Sequence, residues 1–108
     1  MNKVKDKLPA LVEEELAAAM EIHGDFASMH EGYAVLLEEV EEAEVELKDV
    51  QGYTARLWDN IKTPHGAAMI IAALNIKEKA INLAAEAIQV AAMARKILIS
   101  LDAEKVTP

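Results

Sequence analysis

From Ala67 to Leu101 the chain contains neither glycine nor proline. The stretch is built largely from Ala, Ile, Leu, Lys and Glu, so nothing in it stops a helix. This points to an all-α fold, a helical bundle. The length of 108 residues fits a single domain over residues 1–108. Apolar residues make up 53% of the chain but aromatics only 4%. An alanine-rich core has little volume per residue and needs close helix–helix approach. One short chain offers few partners for that, so the reading is a core completed by self-association, as a homodimer or homotetramer.

Charge and cysteine content narrow the partners. Net charge is −8, which argues against a nucleic-acid backbone or an anionic membrane as partner. A phosphorylated small molecule would be repelled too, unless metal cations bridge the charges. With no cysteine, thiolate metal sites, disulfides and a cysteine nucleophile are excluded. The charged N-terminus lacks the apolar segment of a signal peptide, and polar residues such as Asn75, Lys77, Glu86 and Gln89 break the apolar runs. The expectation is a cytoplasmic protein.

Along the chain, Pro9 suits the first turn of a helix over Ala10 to His23, with Leu11, Val12, Leu16, Ala19 and Ile22 near helical spacing and Gly24 as its stop. Ser28 and Glu31 form a capping-box pattern opening a second helix from about Met29 to Val50. Leu36, Val40, Ala43, Leu47 and Val50 give it one apolar stripe. Gln51-Gly52 ends or bends it, and Tyr53 to Ile61 suits a further helical piece. Thr63-Pro64-His65-Gly66 is a loop, with Thr63 a candidate cap and Pro64 in the next first turn. The last helix is either continuous from about residue 65 or restarts near Asn75. Residues 1–7 and 102–108 read as frayed tails.

The second helix carries the chemistry. Between Glu38 and Glu46 lie six glutamates with no lysine or arginine among them. Glu38–Glu42 and Glu42–Glu46 are like-charge i, i+4 pairs, each costing roughly 0.2–0.5 kcal/mol in an isolated helix. At about 100° per residue, Glu39, Glu42 and Glu46 crowd beside the apolar stripe, with Glu38 adjacent, while Glu41 and Glu44 point to solvent. On the last helix Asn82, Glu86, Gln89 and Lys96 share one side. An ordinary solvated edge explains both sets. The functional alternative is that Glu86 and Gln89 face the glutamates across a groove, where a cation offsets the repulsion. All-oxygen ligands select Mg²⁺ or Mn²⁺ over zinc.

Glu38-Glu39-Val40-Glu41-Glu42 resembles the EExxE signature of the MazG-like all-α nucleoside triphosphate pyrophosphohydrolases. Glu86-Ala87-Ile88-Gln89 stands where that family has ExxD. The strings from His30 to Val40 and from Glu86 to Ala94 are similar to a branch often found in phage and prophage. The resemblance covers about residues 20 to 101. It implies a Mg²⁺-dependent enzyme that cleaves a (deoxy)nucleoside triphosphate to monophosphate and pyrophosphate. Carried over, Glu38, Glu39, Glu42 and Glu86 are metal ligands, one glutamate handles the attacking water, and Gln89 ligates in place of the family aspartate. The interval between the motifs, residues 43 to 85, is longer than usual for the family. The alternative is a catalytically silent helical oligomer that binds nucleotide or a protein partner; Gln89, which cannot act as a base, keeps it open.

Other residues carry weaker signals. His23, His30 and His65 lack the Glu-x-x-His spacing of di-iron bundles, and no HExxH or phosphate-cradling glycine loop occurs. His65 reads as a loop residue. His30 and Trp58 are candidates for lining a substrate site, although local capping for His30 and packing for Trp58 are the readier explanations. Lys96 and Arg95 are candidates for a phosphate contact, in a place where a helix C-terminus favours cations anyway. Met20, Met29, Met69 and Met93 read as core filler.

Overall fold

The computed structural model describes residues 3–106, with side chains over 3–102. It holds three helices: α1 over Lys3–His23, α2 over Met29–Lys62 and α3 over Gly66–Val106. No strand occurs among the described residues.

The helix ends follow local chemistry. At the end of α1, Gly24 adopts φ 66°, and its N–H donates to the Met20 carbonyl at 2.9 Å. That is the left-handed stop glycine tolerates best. Pro9 is inside α1 rather than in its first turn, because the helix already begins at Lys3. A proline there forfeits one bond to the preceding turn without preventing Lys3–Lys7 from being helical. Likewise α3 continues to Val106. Residues 1, 2, 107 and 108 of the expected frayed tails lie outside the described residues.

The capping box opens α2, with one change. The Glu31 N–H donates to Ser28 Oγ at 3.1 Å, but the Glu31 carboxylate reaches back to the N–H of Ala27, at 3.4 Å, rather than to that of Ser28. Gln51-Gly52 does not end α2, which runs on to Lys62. A helical glycine costs about 1 kcal/mol relative to alanine, too little to break a helix held on both sides. Between α2 and α3, Thr63 is not the cap. The N–H of Ala68 donates to His65 Nδ1 at 3.1 Å, so His65 occupies the N-cap and Pro64 stays outside the helix. Asn75 does not restart α3: its side-chain amide donates to the Ile71 carbonyl at 3.0 Å, one turn back.

The chain divides into two compact units, Met1–Val40 with Ala87–Pro108, and Glu41–Glu86. In the first, Leu16, Ala92 and Met93 form the buried core, joined by Val12, Ala19, Met20, Phe26, Val35, Leu36 and Ile99. Gly32 is buried there, and a Cβ on it would stand 3.2 Å from the Phe26 ring and 3.4 Å from Ile97. Glycine is what lets α2 come this close to Phe26 and α3. Arg95 Nε donates to Glu13 Oε1 at 3.0 Å, tying α3 to α1. In the second unit Ala72 is buried, while Ile70, Ile71, Leu74 and Ile81 of α3 are each more than half exposed. No helix among the described residues is long and apolar enough to cross a membrane.

Candidate functional site

In the second unit, Glu42 of α2 and Glu86 of α3 bring carboxylate oxygens within 4.8 Å of each other. Glu39 precedes Glu42 by three residues on the same helix, so the two project from one face of α2. Glu42 and Glu86 could offer their carboxylates to one metal ion. Glu39 and Glu86 are half-buried, each with one carboxylate oxygen shielded from solvent, and Glu42 is exposed.

Glu46, one turn beyond Glu42, has a different partner. Lys79 of α3 lies 4.0 Å from Glu46 Oε2 and 3.5 Å from Asp49 Oδ2. The Glu46 carboxylate is the largest influence raising the Lys79 pKa above its ordinary 10.5; Asp49 and Glu78 add to it and desolvation opposes it. Lys79 thus neutralises this end of the acidic run. Neither helix alone encodes this pairing, because it depends on the register between α2 and α3.

The other sequence candidates are placed as follows. Glu38 is exposed on α2. Glu41 and Glu44 are exposed, as expected of a solvated face. His30 is exposed near the start of α2. Trp58 is exposed in the second unit, with the Lys62 ammonium 5.7 Å from its ring. Gln89 and Lys96 both line a cavity of about 510 Å³ contained within the first unit. Glu39 forms part of the same wall.

That cavity includes residues the sequence did not single out for a site: Glu15, His23, Phe26 and Glu31. Phe26 is the chain's only phenylalanine, and it lies in the short loop between α1 and α2. A lone aromatic in a polar loop was the available signal. Its ring stands 4.1 Å from the Lys96 ammonium, and Lys96 is only 4% exposed.

Comparison of the chain with family models, with curated proteins and with solved structures finds no match.

Proposed function

We propose that the protein is a divalent-cation-dependent nucleoside triphosphate pyrophosphohydrolase of the MazG-like kind. The observation that carries this reading is the approach of the Glu42 and Glu86 carboxylates to within 4.8 Å, with Glu39 one turn away on α2. Carboxylates gathered this closely repel one another, and a cation between them turns the repulsion into attraction. Their donor atoms are all oxygen, which suits Mg²⁺ or Mn²⁺.

Glu42 and Glu86 would hold the ion, and Glu38 and Glu39 are the ligands that the motif resemblance adds. A bound divalent cation supplies charge neutralisation for the triphosphate and a lowered pKa for water. The acidic surface of the chain makes that neutralisation a requirement for an anionic substrate. In the reaction, water attacks phosphorus and the bond between the α-phosphorus and its bridging oxygen breaks. Pyrophosphate leaves, the nucleoside monophosphate remains, and one of these glutamates orients the water and accepts its proton. Gln89, three residues after Glu86 on α3, offers a neutral amide oxygen and no base. The active form is a homodimer or homotetramer in this reading, because Ile70, Ile71, Leu74 and Ile81 are exposed on one chain.

Calorimetric titration of Mg²⁺ without nucleotide tests the metal site. Glu86→Gln is expected to weaken binding about tenfold or more, and Gln89→Asp, which adds an anionic ligand, to tighten it. Equal affinity for wild type and Glu86→Gln would remove Glu86 from the metal site.

A further inference from the structure

We propose that the cavity of the first unit binds a small organic anion, with Lys96 holding its acidic group. Lys96 is the one charged residue buried among the described residues, at 4% exposure. A buried ammonium is ordinarily paired with an acid. The chain pairs its other well-placed cations in that way: Lys62 with Asp59, Lys79 with Glu46 and Asp49, and Arg95 with Glu13. The Lys96 ammonium has no carboxylate or carbonyl partner among the described residues, only the face of Phe26 at 4.1 Å. The ring keeps the ammonium in place, at the wall of a space that a ligand's acidic group could enter. Lys96 lines a cavity of about 510 Å³, a size typical of small-molecule sites.

The rest of the lining narrows the ligand. Ala18, Ile22, Phe26, Val35 and Met93 give an apolar wall. Gln89 lines it too, and its side-chain amide makes no hydrogen bond within the described residues. Glu15, Glu31 and Glu39 border the same space. Three carboxylates against one ammonium disfavour a multiply charged ion such as inorganic phosphate. The ligand that fits is singly charged, with a carboxylate or phosphodiester on Lys96 and a largely neutral body against the apolar wall. This needs no metal and goes beyond the hydrolase reading.

Calorimetry in EDTA with benzoate and hexanoate as carboxylates, and 3′,5′-cyclic AMP and cyclic CMP as phosphodiesters, tests the proposal. At least one is expected to bind wild type with Kd below about 1 mM, and inorganic phosphate about tenfold more weakly. Lys96→Gln should weaken that ligand about tenfold or more, while Lys96→Arg retains it. Glu15→Gln changes an exposed side chain, so it keeps the fold, and it should tighten binding about twofold by removing a nearby negative charge. Binding by none of the four anions overturns the proposal, as does unchanged affinity in Lys96→Gln. If Lys96→Gln does not fold, unchanged or weaker binding by Glu15→Gln overturns it instead. Anion binding without nucleotide turnover would defeat the hydrolase reading alone; turnover without anion binding in EDTA would defeat this one alone.

Discussion

Glu42 and Glu86 come from different helices, yet their carboxylate oxygens lie within 4.8 Å of each other. Neither helix needs that arrangement for its own stability, since like charges this close work against the fold. A cation placed between them would offset that repulsion.

Metal linkage follows directly. An ion that binds the folded state alone stabilises it, by about 1.4 kcal/mol at ten times Kd. That corresponds to several degrees in the melting temperature of a chain of this size. Mg²⁺ is therefore expected to raise the melting temperature of wild type clearly and that of Glu42→Gln much less. The same shift in both proteins, followed by circular dichroism, would make the acids a plain solvated face.

The start of α3 rests on His65, whose Nδ1 accepts from the Ala68 N–H at 3.1 Å. Removing an N-cap acceptor costs about 0.5–2 kcal/mol. His65→Ala should lower the unfolding free energy measured in urea by that amount, and His65→Asp, which also carries an acceptor, should restore it. A destabilisation in His65→Ala that His65→Asp leaves unrepaired would count against the cap.

Much of this architecture could be read from the chain. The all-helical class, the Gly24 stop, the Ser28 cap and the loop around Pro64 and His65 all follow from local residue chemistry. That Glu39 and Glu42 share a face of α2 was also legible, because helical spacing fixes it. What was not legible depended on neighbours in space. Gly52 has the residue type of a breaker but costs too little to interrupt α2. Asn75 could cap or bond back to its own helix, and sequence does not choose between them. The pairing of Lys79 with Glu46, and the burial of Lys96 against Phe26, require the relative placement of helices. A charge run read in isolation therefore put Glu46 beside the candidate ligands, although a lysine on α3 is its partner.

That lysine makes its own prediction. The pKa of Lys79 is raised in the folded state, chiefly by Glu46. Such a group contributes stability below its unfolded pKa, near 10.5, and loses the contribution as pH rises through the higher folded value. Lys79→Met should be less stable than wild type at pH 8, and the gap should shrink as pH climbs past about 10.5. A gap that stays constant between pH 8 and pH 11.5 in chemical denaturation would show that the ion pairs contribute nothing.

The exposed Ile70, Ile71, Leu74 and Ile81 bear on assembly. Large apolar side chains gathered on one helix favour contact with a further copy. Sedimentation at micromolar concentration should show a species at least twice the 11.8 kDa of one chain. Leu74→Lys with Ile81→Lys should shift it toward the monomer. Sedimentation of wild type as an 11.8 kDa species alone would contradict self-association.

In the proposed reading, the glutamates of α2 and α3 serve a metal-dependent cleavage of nucleoside triphosphates. It is tested most directly by pyrophosphate release from each of the eight common nucleoside and deoxynucleoside triphosphates, with Mg²⁺ or Mn²⁺ and with EDTA. At least one nucleotide should yield pyrophosphate and monophosphate in equal amounts with metal and none in EDTA, and Glu86→Gln should lower the rate about a hundredfold or more, a loss of roughly 2.7 kcal/mol in transition-state stabilisation. No pyrophosphate from any of the eight nucleotides with either metal, or an undiminished rate in Glu86→Gln, would contradict the account.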